Sequence, residues 1–172
     1  MILIVAGVSG SGKTTVGEAL AARLGWPFAD ADAFHPAANI AKMAAGIPLT
    51  DADREPWLRA ITARMDERIA RGESAVVTCS AIKRAFRDEL LDGRPQARIF
   101  FLSVSRAEAA RRLASRHGHF FGVGLLGTQF DVLEPPQPDE PRVTVVPSGN
   151  DPEQAVAAII AVVQGTGFRA EP

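Results

Sequence analysis

Cysteine is nearly missing from the chain: Cys79 stands alone among 172 residues. No internal disulfide can staple the fold, no Cys/His cluster has the spacing of a structural zinc site, and a reducing cytoplasmic setting is expected. Long apolar runs are also missing. The longest, residues 155–163, is far short of the ~20 residues a membrane span requires. No basic residue precedes the apolar N-terminal stretch, as it would in a signal peptide. A soluble protein with no membrane partner is the expectation. Nor is there an excess of one charge: 19 Lys and Arg face 20 Asp and Glu, net −1, so nothing in the balance attracts nucleic acid. Any anion this protein binds must be held locally. What remains is 47% apolar sequence, enough for one compact domain over residues 1–165, with 166–172 as a tail.

Short apolar runs at 2–6, 27–30, 75–79, 98–103 and 142–147 alternate with longer amphipathic stretches. Such a rhythm predicts an α/β fold with a five-stranded parallel sheet flanked by helices on both faces. Val16, Leu20 and Leu24 recur every four residues and Gly25 follows, which predicts a helix with one buried stripe and a glycine stop. Ser105 with Glu108, and Asp151 before Pro152, mark helix starts and predict helices over 105–116 and 151–164. A helix over 55–71 is expected from Trp57, Leu58, Ile61, Met65 and Ile69, with Pro56 confined to its first turn. Residues 117–138 break the rhythm with glycines and prolines and are expected to form a mobile lid.

The strongest chemical signal is Gly7-Val8-Ser9-Gly10-Ser11-Gly12-Lys13-Thr14, followed by Thr15. It matches G-x-x-x-x-G-K-[ST] and lies between a predicted strand and a predicted helix, the context a phosphate loop requires. There the backbone N–H groups cradle phosphate, Lys13 reaches the β- and γ-phosphates of ATP, and the Thr14 hydroxyl can ligate Mg²⁺. A guanine-reading switch protein should also carry Asn/Thr-Lys-x-Asp, but neither Lys42 nor Lys83 is followed by that aspartate. The second strand ends in Asp30-Ala31-Asp32. Strand alternation predicts that both carboxylates point the same way at the sheet's carboxyl end, where ligands bind. Asp30 is the candidate for Mg²⁺, through water, and Asp32 for orienting or deprotonating a substrate hydroxyl.

Further strings are more specific than the phosphate loop: Asp30-x-Asp32-x-x-His35-Pro36-x-x-Asn39-x-x-Lys42-Met43, then Pro48-Leu49-x-Asp51-x-Asp53-Arg54-x-Pro56-Trp57-Leu58, then Cys79-Ser80-Ala81-x-Lys83-Arg84-x-x-Arg87-Asp88. Arg116-x-Gly118-His119-Phe120-Phe121 and Thr128-Gln129-Phe130-x-x-Leu133-Glu134-x-Pro136 follow. With these strings the sequence resembles the small P-loop gluconokinases over almost its whole length. The resemblance implies ATP-dependent phosphorylation of D-gluconate at its terminal hydroxyl, and a possible homodimer. It also implies substrate partners. A carboxylate and a row of hydroxyls need fixed cations, here Arg54, Lys83 and Arg87, and polar partners, here Asp32, His35, His119 and Gln129. Arg112 and Arg116, four apart on one helix face, would stabilise charge on the transferring phosphoryl group alongside Lys13. Ser148-Gly149-Asn150 reads equally as a loop near adenine or as a plain turn.

Two departures from the family pattern stand out. Ala31 replaces a glycine between the paired aspartates, and Gly122, Gly124 and Gly127 loosen the expected lid, since glycine costs a helix ~1 kcal/mol relative to alanine. Shikimate kinase is the nearest enzymatic rival, but the glycine triplet expected after its third strand is Cys79-Ser80-Ala81 here. A catalytically silent ATP-binding module is the rival from another class.

Overall fold

In a computed structural model of the chain, residues 1–115 and 123–165 are described. Five strands, β1 (Ile2–Ala6), β2 (Phe28–Asp30), β3 (Ala75–Cys79), β4 (Ala97–Ser103) and β5 (Val143–Pro147), form one parallel sheet in the order β2-β3-β1-β4-β5. Helices α1 (Lys13–Leu24), α2 (Ala37–Ala44), α3 (Asp51–Ala70), α4 (Arg84–Leu91), α5 (Arg106–Ala114), α6 (Val123–Asp131) and α7 (Pro152–Gly165) connect and cover it.

The sheet is buried on both faces, and β1 shows how its sequence achieves this. All five residues of β1 are buried, and their side chains alternate between faces. Ile2 and Ile4 join Trp57, Leu58, Ile61 and Met65 of α3 and Leu90 of α4. Leu3 and Val5 join Val16 and Leu20 of α1 and Val156 and Ile159 of α7. Each such side chain stabilises the fold by about 1.5–3 kcal/mol through burial, and truncating one, as in Ile4→Ala, costs about 2–5 kcal/mol. Gly17 lets α1 lie close on the sheet: a Cβ there would meet the Phe28 ring and Thr78 Cγ2 at 2.8 Å.

The helices after β1 and β3 lie on opposite faces of the sheet although the two strands are neighbours. Such a divergence opens a crevice at the strands' carboxyl ends. The loops that follow the two strands meet there, with the Gly7 N–H donating to the Ser80 carbonyl at 3.2 Å.

Two expectations need correction. The third helix starts at Asp51, four residues before the expected 55, because Thr50 and Asp53 form a capping box that satisfies two otherwise orphaned donors. Pro56 consequently falls in the second turn, and it has no N–H to offer the Ala52 carbonyl. The alternation argument for Asp30 and Asp32 also fails: the strand stops at Asp30, and Ala31–Phe34 forms a 3₁₀ turn capped by Asp30, whose Oδ1 accepts from the Asp32 N–H at 3.0 Å. Within the expected lid, residues 123–131 are helical despite Gly124 and Gly127. Leu126 anchors that helix against Val8, Ile82, Ala109 and Leu113, and this burial outweighs the propensity cost. The tail 166–172 lies outside the described residues.

Candidate active site

The phosphate loop holds its shape through backbone conformations that side chains resist. Gly10 sits at φ 78, and a Cβ there would lie 2.5 Å from the Ala109 carbonyl oxygen. Gly12 sits at φ 91, where a Cβ would make ordinary contacts with Ser148 Oγ at 3.6 Å and Arg112 Nη1 at 3.7 Å, so the backbone conformation and not the space asks for glycine. The loop delivers Lys13 and Thr14 to the first turn of α1, with no acidic residue to oppose an anion at that helix start. Lys13 Nζ donates to the Val8 carbonyl at 3.1 Å, curling the cation back over its own loop. Gly10, Gly12, Thr15, Arg112, Ser148 and Gly149 line a cleft on the outer side, so Ser148-Gly149-Asn150 belongs to a cleft wall.

Thr14 and Asp30, named separately in the sequence as Mg²⁺ candidates, come together in the structure. The Thr14 hydroxyl donates to Asp30 Oδ2 at 3.0 Å, joining the helix start after β1 to the end of β2. A hydroxyl and a carboxylate are hard oxygen donors, and Mg²⁺ binds through one or two of these plus water and substrate phosphates. No cluster of three or more His, Cys, Asp or Glu exists among the described residues. The donor set fits a phosphate-bridged Mg²⁺ and no all-protein metal cage.

On the inner side Ser9, Asp32, His35, Arg54, Trp57, Ser80, Phe86 and Gln129 are among the residues lining a second pocket. Asp32 reaches it from the 3₁₀ turn and not from a strand. His35 stacks flat on Trp57, ring centroids 4.4 Å apart and planes 7° from parallel, while Trp57 Nε1 donates to the Ala31 carbonyl at 2.7 Å. Burial pushes the His35 pKa below its ordinary value, the Asp32 charge opposing and the Arg54 charge adding to the shift. Gln129 reaches in from α6 and accepts the Ser9 N–H on Oε1 at 2.7 Å. An N–H only donates, so Gln129's amide orientation is fixed by this bond. Ala81, also in the wall, is held at φ 34, the left-handed region that disfavours a Cβ.

The expected cations fare unequally. Arg54 lines the inner pocket, its guanidinium 5.9 Å from the Phe86 ring centroid and 3.4 Å from Asp51. Lys83 is held by the same Asp51 carboxylate at 2.6 and 2.9 Å and is not among the pocket-lining side chains. Arg87 is a correction. It is fully buried, its Nε and Nη2 donate to Glu140 at 2.7 and 2.8 Å, and its Nη1 donates to the Glu134 carbonyl at 2.9 Å. Its hydrogen bonds hold the chain 134–140 against α4 and keep the Glu140 pKa below the usual carboxylate value. Nothing of it faces a ligand.

Arg112 stands beside the phosphate loop but is likewise engaged. Nε donates to Glu108 at 2.7 Å, Nη1 to Ser148 Oγ at 2.9 Å, and Nη2 to the Ser148 and Gly149 carbonyls at 3.1 and 2.7 Å. It welds α5 to the outer cleft wall. Glu108, held down to about 2 by hydrogen bonds from Arg111 and Arg112, stays charged as its partner. Arg116 and His119 lie outside the described residues.

Sequence reasoning missed the part played by Trp57 in the pocket wall and by two glutamates in the segment beside it. Trp57 looked like an ordinary core residue because its helical spacing matched the core stripe, and Glu134 stood in a family string without a role. The Glu134 carboxylate accepts the Arg84 N–H at 2.7 Å, capping α4 beside the pocket. Glu140 carried no local signal at all.

A phosphate loop at a sheet switch point, a Thr14–Asp30 oxygen pair and a polar pocket across the loop define a P-loop small-molecule kinase. Comparison with known proteins narrows the class. The family model described as an AAA domain matches residues 2–133. A gluconokinase from Gluconobacter oxydans (strain 621H) is 48% identical over 143 residues, covering 83% of this chain and 80% of the relative. Crystal structures of a gluconokinase from Sinorhizobium meliloti 1021 (42% identity, TM-score 0.83, covering 98% of this chain and 97% of that one) and of a sugar kinase from Janibacter sp. HTCC2649 (42% identity, TM-score 0.88, 95% and 94%) superpose along nearly the full length. The chain belongs to the gluconokinase family.

Proposed function

We propose that this kinase transfers the γ-phosphoryl group of ATP to the terminal hydroxyl of D-gluconate, giving 6-phosphogluconate and ADP. The observation that carries this reading is the division of the site. The outer cleft and the inner pocket meet at the phosphate loop, and two carboxylates two residues apart serve them: Asp30, at the end of β2, holds the Thr14 hydroxyl, while Asp32, in the turn that follows, faces the pocket. ATP occupies the outer cleft, its phosphates on the backbone N–H groups of Gly10 to Thr14 and on Lys13. Gluconate occupies the inner pocket, with Arg54 toward its carboxylate and Asp32, His35 and Gln129 toward its hydroxyls.

In the transfer, the acceptor oxygen forms a bond to the γ-phosphorus as the bond from that phosphorus to the β,γ-bridging oxygen breaks. The hydroxyl proton passes to Asp32. Thr14 and Asp30 are the residues that would hold Mg²⁺, whose charge would neutralise the phosphates. Lys13 follows the migrating charge from the other side. Arg116 and His119, outside the described residues, keep the roles that the resemblance implies: Arg116 toward charge on the transferring phosphoryl group and His119 toward a gluconate hydroxyl. Lys83 acts through Asp51, which it holds beside Arg54.

The test is ADP release from ATP and Mg²⁺ with D-gluconate, shikimate, a nucleoside monophosphate mixture or no acceptor. The expected result is release with gluconate alone. Release with a different acceptor would discard the substrate, and ATP binding without turnover on any acceptor would discard the enzyme.

A further inference from the structure

Asn39 is 4% exposed, on the first turn of α2, and touches neither cleft. A buried amide in so short a helix must satisfy its polar atoms inside the protein. Its Nδ2 donates to the Asp53 carbonyl at 2.7 Å. A carbonyl oxygen only accepts, so this contact identifies which end of the Asn39 amide is nitrogen. The same Nδ2 stands 3.5 Å from His35 Nδ1, at the long end of hydrogen bonding, with its second hydrogen available.

Two N–H groups cannot share that contact. With Nδ2 as the donor, His35 Nδ1 must carry the lone pair, and in a neutral imidazole the proton then resides on Nε2. Burial favours the neutral ring, between the Asp32 carboxylate and the Arg54 guanidinium. Stacking on Trp57 holds the ring plane, and Trp57 is itself pinned to the Ala31 carbonyl. Asp53 is anchored in turn, its carboxylate bonded to Lys42 at 2.7 Å and to the Thr50 N–H at 2.9 Å. The chain of contacts runs from Lys42 through Asp53 and Asn39 to the ring.

We propose that Asn39 is a positioning residue that fixes His35 as the Nε2–H tautomer, so that the inner pocket offers an acceptor at Asp32 and a donor at His35. A hydroxyl both donates and accepts, and this pair reads both functions at once. A group that can only accept meets the Asp32 charge unpaired, and one that can only donate leaves His35 Nε2–H unsatisfied, an asymmetry that discriminates more strongly than shape alone. The inference rests on the inner pocket being the acceptor site.

The tautomer is read directly in the free protein. Two-bond ¹H–¹⁵N correlation spectra of the ¹⁵N-histidine-labelled chain, at neutral pH and without acceptor, should show His35 Nδ1 as a bare nitrogen and Nε2 as protonated. The chain has 3 histidines, and the signals lost in His35→Gln assign this one. In Asn39→Asp the new carboxylate accepts from Nδ1–H, so the protonated nitrogen should switch. KM for gluconate should then rise about tenfold, the scale of one hydrogen bond, with KM for ATP unchanged. A wild-type ring protonated on Nδ1 overturns the proposal whether or not the variant folds. So does a folded Asn39→Asp that keeps the wild-type tautomer, or one that switches it without moving the gluconate KM. A wild-type protein with the expected tautomer but no turnover of gluconate would instead sink the proposed function and leave the tautomer standing.

Discussion

The two halves of the site are built from different materials. The outer, nucleotide half is made of backbone: glycines at φ 78 and 91 turn the loop, and Arg112 braces the wall from behind through carbonyls of Ser148 and Gly149. The inner, acceptor half is made of side chains, each fixed by a contact of its own: Trp57 by the Ala31 carbonyl, His35 by the Trp57 ring and Asn39, and Gln129 by the Ser9 N–H. Backbone construction suits a ligand that is the same in every kinase of the class, because phosphate asks only for N–H groups and charge. Relayed side chains suit a polyol acid, whose hydroxyls must be told apart.

The largest expected effect lies in the support of the inner half. Arg87→Leu leaves Glu140 charged and buried, and loss of one partner of such a pair costs about 3–5 kcal/mol. Denaturant unfolding should report that loss, while the folded fraction keeps its nucleotide affinity. The double variant Arg87→Leu, Glu140→Leu should recover most of it, whereas no recovery would mean that the two residues are not a pair.

Gly10→Ala attacks the outer half alone. The added Cβ meets the Ala109 carbonyl at 2.5 Å in a conformation that already costs a non-glycine residue about 1–3 kcal/mol. ATP affinity measured calorimetrically should drop by more than about tenfold, equivalent to 1.4 kcal/mol. An intact affinity would show that the loop tolerates a side chain and that the outer half is less dependent on its backbone than argued.

A smaller effect separates the halves by pH. The folded pKa of His35 lies below the ordinary 6.5, so the unfolded chain takes up a proton at His35 more readily than the folded one. His35's contribution to stability is therefore complete above pH 6.5 and is lost as pH falls through the lower folded value. The neutral donor persists in the same window. kcat/KM for gluconate should stay flat through pH 6.5 and decline only below it, and His35→Gln should remove that limb of the profile. A decline centred at 6.5 would place the ring in water.

The smallest change is Ala81→Gly. Glycine relaxes the φ 34 backbone but adds freedom to the unfolded chain, so stability should move by less than about 1 kcal/mol. Selectivity among sugar acids should loosen as the methyl leaves the pocket wall, measured as the ratio of kcat/KM values for gluconate and its epimers.

The same contrast explains what the sequence disclosed. Strand runs, the α1 stripe and the phosphate loop are local patterns, and the structure carries them at nearly the predicted positions. Thr14 and Asp30 were also legible as separate candidates, since one opens the helix after β1 and the other closes β2 of the same βαβ unit. Arg87 was not. An arginine after a strand's carboxyl end has the same letters whether it faces a ligand or a buried glutamate 53 residues away, and only tertiary packing decides. The orientation of Asp32 was misjudged for a local reason, because Asp30 caps the 3₁₀ turn and ends the strand at once. Trp57 was hidden by helical periodicity, which marks burial without saying what the buried ring supports.

The separability of the two halves is tested most directly by Asp32→Asn, with the affinity for a non-hydrolysable ATP analogue and the turnover of gluconate measured on the same protein. The account predicts an unchanged analogue Kd and a turnover reduced by about 100-fold or more, the range of a lost general base. Nucleotide affinity falling in step with turnover, or turnover close to wild type, would contradict it.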